Sequence, residues 1–261
     1  MITALIDADS LIYAVGFSSN DTEEQFAISR LEATMIDICM DLDCDDYKGF
    51  LTGKGNFRND IAVTVPYKGQ RVADKPAHYK ALREHLVNSW GFVITEGIEA
   101  DDAVGIAAYA LPEDESIILH IDKDLNQFRG WHYNYRKREK YYVSEFEGLV
   151  NFYTQILTGD RIDNIVGLKG IGPAKAAKIL KDCKTEEDLC AAVLKAYDND
   201  RERVIENGKL LWLQRKEGDV WNPHLWLFKY HGLMQLQTQA GKKRLKQRFI
   251  TVLLSDSRSE E

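Results

Sequence analysis

Cysteine is scarce: Cys39, Cys44, Cys183 and Cys190 are all that 261 residues contain, and no two form a CxxC pair. That excludes a disulfide framework and a thiolate zinc site, and it fits a reducing compartment. No apolar run is long enough to span a membrane, and Met1 leads into a short strand-like segment, not a basic leader with a long hydrophobic stretch. A soluble, cytoplasmic protein is expected. An excess of basic charge is also missing, since 34 Lys+Arg stand against 41 Asp+Glu for a net charge of −7. This argues against a general nucleic-acid coat, but leaves room for acids gathered in one place and cations in another. Basic clusters occur at Arg136-Lys137-Arg138 with Lys140, and at Lys242-Lys243-Arg244 with Lys246 and Arg248. Internal repeats and low-complexity linkers are absent. The 44% hydrophobic content is enough for a real core, in one large domain or two small ones.

What the chain does have is a repeated unit, an apolar run that ends on acid. Ile2–Ile6 reads as a buried parallel strand and leads into Asp7, with Asp9 two residues on. Ligands in open α/β sheets bind beyond the carboxyl ends of strands, which places Asp7 for function. Asp9-Ser10 reads as the capping pair of a helix through Leu11–Ala14. Ser116–Ile121 is a second such strand and runs into Asp122-Lys123-Asp124; extended geometry there would point both acids to one side. Further strands are expected over Tyr47–Thr52 and Phe92–Thr95, and a short pair over Trp131–Tyr135 and Lys140–Val143. Helices are expected over Thr22–Met40, Ala77–Trp90 and Phe146–Leu157, and beyond Leu180 over Leu189–Tyr197 and Arg201–Lys216. Trp221, Trp226, Leu227 and Phe228 are expected to pack a C-terminal segment onto the core, before a polar tail.

Glu99-Ala100-Asp101-Asp102 opens an apolar helix. Acids in a first turn suit the helix dipole, but three within four residues exceed what a cap requires. Pro66-Tyr67-Lys68-Gly69-Gln70-Arg71 offers an aromatic on which a base could stack and cations that could hold phosphate. An ordinary solvated loop is the plain alternative.

The richest stretch runs from Asp160 to Leu180. Asp160 and Asp163, three apart, would share a face if helical. Gly167, Gly170 and Gly172 then permit close approach of a backbone or phosphate, and Pro173 sits where a helix can begin. The free N–H groups of that helix start, flanked by Lys175 and Lys178, suit an anion. A metal-type acid pair therefore stands beside a phosphate-type cradle.

Gathered without cations, these acids would repel and raise one another's pKa. Divalent ions remove that penalty. Magnesium favours all-oxygen sites, and with no histidine or cysteine read near the acids, zinc is disfavoured. Two ions about 4 Å apart can activate water and stabilise the leaving oxygen of an in-line displacement.

On these residues the chain resembles the 5′-nuclease superfamily: flap endonucleases, the 5′-nuclease domain of bacterial DNA polymerase I, and phage 5′→3′ exonucleases. The matching pieces are Leu5-Ile6-Asp7, Tyr67-Lys68 with Arg71, Glu99 to Asp102, Asp122 to Asp124, and Gly159-Asp160 to Leu180, in the family's order over most of residues 1–181. The look is nearest the compact phage exonucleases. The resemblance implies a PIN-like α/β domain with a mostly parallel sheet at 1–158. It also implies a helix–three-turn–helix and C-terminal helices over 159–261. It implies Mg²⁺ or Mn²⁺ on Asp7, Glu99, Asp101, Asp102, Asp122, Asp124, Asp160 and Asp163, and K⁺ held by carbonyls of the glycine turn. By the same matching Lys68 and Arg71 polarise the scissile phosphate, Tyr67 stacks on the terminal nucleotide, and the glycine turn with Lys175 and Lys178 grips duplex DNA. Two departures stand out. The family's acid at the end of the second strand is missing from Phe50-Leu51-Thr52-Gly53, which implies a metal held through water or by fewer ligands. The segment from Val72 to about Tyr79 is too short for a full helical arch.

The expected function is metal-dependent 5′→3′ exonucleolysis of duplex DNA in replication or processing, by a monomer. RNA–DNA hybrids and short 5′ flaps are possible further substrates. The rival readings are a PIN-type endoribonuclease and an inactive structure-specific DNA-binding protein.

Overall fold

The computed structural model describes residues 1–70 and 74–223. Arg71, the residues Trp226 to Phe228, and the basic cluster at Lys242–Arg248 lie outside the described residues. In chain order the elements are β1 (Thr3–Asp7), α1 (Ala8–Phe17), α2 (Glu24–Leu42), β2 (Asp46–Thr52), α3 (Arg58–Ile61), α4 (Tyr79–Trp90), β3 (Val93–Thr95), α5 (Ala100–Tyr109) and β4 (Ser116–Leu119). A 3₁₀ turn (Lys123–Gln127) follows, then β5 (Gly130–Asn134), β6 (Glu139–Val143), α6 (Glu145–Thr158), β7 (Gly159–Asp160), β8 (Ile165–Val166), α7 (Pro173–Leu180), α8 (Glu186–Ala196) and α9 (Arg201–Leu211).

Six strands form one sheet in the order β3-β2-β1-β4-β5-β6. All neighbours are parallel except β5 and β6, a hairpin joined by the basic turn. The mixed α/β architecture with a mostly parallel sheet is thus the one expected. β1 and β4 are buried along their whole length, which is why they read as continuous apolar runs. Leu11, Leu31, Met35, Leu82 and Leu86 of α1, α2 and α4 cover one face of the sheet, while Val104 and Ala108 of α5 cover the other with Phe128 and Leu213. Because β1, β2 and β4 run the same way, their carboxyl ends share one edge, with Asp7 in register with Phe50 and Ile6 with Leu119.

A second core joins α6 to α7, α8 and α9. Phe152 of α6 meets Trp212 and Trp221 edge-on, at ring centroid distances of 4.9 and 5.4 Å. Burial of each such side chain contributes about 1.5–3 kcal/mol. Residue 158, the expected boundary between regions, therefore ends a helix that packs against the helices after it.

Local geometry departs from expectation in several places. Asp7, not Asp9, caps α1, its carboxylate accepting the Asp9 N–H at 3.1 Å. Asp122 and Asp124 are not in an extended run; Asp122 caps the 3₁₀ turn by accepting the Asp124 N–H at 2.9 Å. Asp160 ends β7 and Asp163 lies within the tight turn to β8, not a helical turn, and Asp160 Oδ1 accepts both the Ile162 and Asp163 N–H groups. Helix α9 stops at Leu211, short of Lys216, because Trp212 turns extended and its carbonyl is taken by Arg58.

Candidate active site

Above the shared strand edge lies a cleft of ≈ 850 Å³. Asp7 reaches it from the end of β1, Glu99 and Asp101 from the start of α5, Asp122 and Asp124 from the loop after β4, and Asp160 and Asp163 from the β7–β8 turn. Sequence spacing anticipated all of these. Asp9, Lys68, Lys75, Arg83 and Lys123 stand among them. Among the described residues no three His, Cys, Asp or Glu side chains form a ready-made ligand group. The carboxylates share the lining of one cleft.

Their proton affinities record the crowding. Burial, then Asp9 and Asp122, raise the Asp7 carboxyl to about 7. Burial, then Asp122 and Asp160, raise Asp124 to about 7. Asp101 is pushed well above the usual carboxylate range by burial and by Asp7, Asp122 and Glu99. Asp163 is raised by burial, against the pull of Lys68. Glu99 differs. Burial opposes its charge, but Lys68 and Arg58 outweigh that and lower its pKa. A buried, all-oxygen lining whose charges are this poorly compensated fits hard divalent cations.

Asp102 does not belong to this lining. It is fully buried, and Arg58 Nη1 and Nη2 donate to its two oxygens at 2.7 and 2.8 Å. It also accepts the N–H groups of Glu99 and Gln214. With both oxygens so engaged, Asp102 caps α5 and anchors Arg58, and the metal-ligand role expected for it is corrected. The third acid of the run is the cap after all.

Tyr67 is corrected as well. It is 8% exposed and packs in the second core, so its ring is no stacking platform. Its hydroxyl meets Glu99 Oε2 and Asp163 Oδ2, each at 2.8 Å, holding two cleft acids from elements that are remote in sequence. Two backbone ties fix this loop to the β7–β8 turn: Lys68 N–H donates to the Asp163 carbonyl at 2.9 Å, and Asn164 Nδ2 to the Pro66 carbonyl at 2.8 Å. Lys68 sits at φ 53, in the left-handed region that costs a non-glycine residue energy. Its ammonium pairs with Glu99 and lies 3.6 Å from Asp163 Oδ1.

Sequence reasoning gave Asp9 only a capping role, gave Arg58 and Arg83 none, and missed a histidine pair. His120 does stand near the acids, two residues before Asp122, but its ring is spent on the Asp122 carbonyl and, at 2.8 Å, on His132. Burial lowers these imidazoles to about 4 and about 3, so they back the Asp122 loop as neutral rings. For Asp9, the signal was its alternation with Asp7. For Arg58 no local signal existed, since the acids and carbonyls its guanidinium meets lie 41 and more residues away.

The glycine turn extends from the same β7–β8 unit. Gly167 is needed for closeness, because a Cβ there would lie 2.2 Å from the Thr158 carbonyl carbon. Gly170 is needed for its φ of +78. Pro173 begins α7, Lys175 and Lys178 are exposed, and Lys175 Nζ donates to the Gly170 carbonyl at 2.7 Å. That carbonyl already faces a cation.

No family model matches the chain. A 5′-3′ exonuclease of Mycoplasmopsis pulmonis is 29% identical over 206 residues, covering 71% of this chain and 68% of that protein. The chain is similar in sequence to 5′-3′ exonucleases. The fold of the chain agrees with solved structures. The T5 5′-exonuclease with divalent metal ions bound superposes with a TM-score of 0.57 at 16% identity, covering 81% of this chain and 89% of that one. The catalytic core of Rad2, in complex with a DNA substrate, gives 0.52 at 14% identity over 93% and 90%. At such identities the two structures establish fold, and the exonuclease carries the sequence relationship. Among the described residues no helix is long and apolar enough to cross a membrane.

Proposed function

We propose that the chain is a divalent-metal-dependent 5′→3′ nuclease that hydrolyses phosphodiester bonds of DNA near a 5′ end. The observation that carries this reading is the single cleft shared by Asp7, Glu99, Asp101, Asp122, Asp124, Asp160 and Asp163, contributed by four separate parts of the chain. The relatives point the same way: one is named a 5′-3′ exonuclease, the T5 enzyme was solved with divalent ions, and the Rad2 core with DNA. Mg²⁺ or Mn²⁺ held by these carboxylates would polarise the scissile phosphate and the attacking water.

The chain's own residues do the rest. Tyr67 holds Glu99 and Asp163 at a fixed separation through one hydroxyl. Lys68 carries its charge on a flexible stem from a loop tied at both ends, so its ammonium can leave Glu99 for a phosphate oxygen. Arg71 is assigned the same phosphate. The raised carboxyls of Asp7 and Asp124 must give up their protons before they can hold a cation. Lys175, Lys178 and the α7 start grip the backbone of the duplex, and carbonyls of the Gly167–Gly172 turn hold K⁺ beside it. Duplexes with a 5′ end, nick, gap or short flap are the proposed substrates, with RNA–DNA hybrids as a weaker class. The protein is proposed to act as a monomer in the cytoplasm.

Cleavage of end-labelled blunt, nicked, gapped and flapped duplexes, with and without Mg²⁺, tests this. Release of short 5′ products only with metal is expected. Cleavage of RNA alone, or binding of DNA with no metal-dependent product, would overturn it.

A further inference from the structure

The strand ends around the cleft are unequal. β1 ends on Asp7 and β4 leads to Asp122, but β2, which lies beside β1, ends on Thr52, with Gly53 next. The vacant position is filled from the next element. Asp9, in the first turn of α1, reaches across so that its Oδ2 accepts the Thr52 N–H at 3.0 Å. Thr52, through its N–H and its side chain, thus pins this carboxylate over the carboxyl end of β2. Its Oδ1 lies 3.6 Å from Arg83 Nη1, and Arg83 spends Nη2 on the Thr52 carbonyl at 2.6 Å. Asp9 and Arg83 both line the cleft.

We propose that Asp9 is a metal-site residue of this protein, supplying from α1 the carboxylate that β2 does not encode; this rests on the metal-dependent reading above. Asp102 makes the contrast. Each oxygen of Asp102 takes a short guanidinium bond as well as a backbone N–H. Asp9 is held by Thr52 alone, while its Oδ1 meets Arg83 only in a long contact and the residue lines the cleft. An orientation fixed by one residue, with Oδ1 open to exchange, is what a hard cation needs from a carboxylate. The competing role is mechanical, with Asp9 as the counter-ion of Arg83 bracing α1, β2 and α4.

The two roles predict opposite signs for Arg83. As a metal-site residue, Asp9 loses a competing cation when Arg83→Gln is made, so metal binding holds or tightens. As a brace, Asp9 and Arg83 are equivalent, and either substitution loosens the site alike. Mn²⁺ binding to the full chain is measured by electron paramagnetic resonance of free Mn²⁺, with melting temperature recorded for each variant. Asp9→Asn is expected to weaken Mn²⁺ about tenfold or more, and Arg83→Gln not to weaken it. Adding Thr52→Asp to Asp9→Asn is expected to recover the affinity. Thr52 Oγ1 accepts the Ala100 N–H at 2.9 Å, a bond that a carboxylate there can keep. Unchanged Mn²⁺ affinity in Asp9→Asn, equal losses in Asp9→Asn and Arg83→Gln, or no recovery with Thr52→Asp would each overturn the assignment. An unsubstituted protein that binds no Mn²⁺ and cleaves no DNA would overturn the functional reading itself.

Discussion

Arg58 and Asp102 form a bidentate ion pair closed off from solvent, with N–O distances of 2.7 and 2.8 Å and side chains 1% and 0% exposed. The pair connects α3 to the start of α5, and Arg58 further donates to the carbonyls of Leu210 and Trp212. It therefore clamps the helical half of the molecule to the edge of the sheet that carries the cleft.

Breaking this pair from one side leaves a buried charge without its partner. Asp102→Asn is expected to destabilise the fold by ~3–5 kcal/mol. The loss should show as a large drop in melting temperature, and any protein that remains folded should retain metal binding. A variant that keeps its melting temperature but loses Mn²⁺ would return Asp102 to the ligand set.

Tyr67→Phe removes a single hydroxyl and keeps the packed ring. A hydrogen bond to a charged group contributes ~1.5–3 kcal/mol, and this one proton stands between two carboxylate oxygens, each 2.8 Å from the hydroxyl. Weaker Mg²⁺ binding and slower turnover are expected, with DNA affinity retained. If Tyr67 instead stacked on a nucleotide, Phe would preserve activity and Tyr67→Leu would abolish it. Kinetics of the two variants side by side decide the matter.

Sequence gave away the strands and their terminal acids for one reason: a parallel strand buried on both faces is a run of apolar residues, and an acid at its end stands out. Asp7, Asp122 and Asp124 were legible on that ground, and Asp160 and Asp163 through their neighbouring glycine turn. Asp102 was misread because a capping box and a metal motif look alike within four residues, and Arg58, which settles the question, lies 44 residues away. Tyr67 was misread because its neighbours are polar and turn-like, while the core it joins is assembled from residues far along the chain. Burial that is made by distant residues leaves no local period to detect.

Asp7 and Asp124 make metal binding depend on pH. Both carboxyls sit at about 7 in the metal-free fold, against about 4 in an unfolded chain. Between those values the folded state binds more protons than the unfolded one, so their contribution to stability falls as pH rises from ~4 to ~7. A cation displaces the same protons. Apparent Mg²⁺ affinity should rise from pH 6 to pH 8, and binding near pH 6.5 should release protons. Calorimetry in two buffers of different ionisation enthalpy counts them; equal heats in both buffers would contradict the assignment.

Lys175 in the first turn of α7 and Lys178 in its last turn both face solvent, three residues apart. If they hold duplex phosphates, each releases a counterion on binding, and Lys175→Ala with Lys178→Ala removes both contacts. The slope of log affinity against log salt should become shallower by about 1 per lost contact, or about 2 for the pair. The weakening should be the same across DNA sequences, since phosphates carry none. Turnover on saturating DNA should hardly change, because neither lysine lines the carboxylate cleft. Fluorescence anisotropy over a salt series, together with single-turnover cleavage, separates the two effects. An unchanged salt slope would remove the glycine turn from the DNA interface.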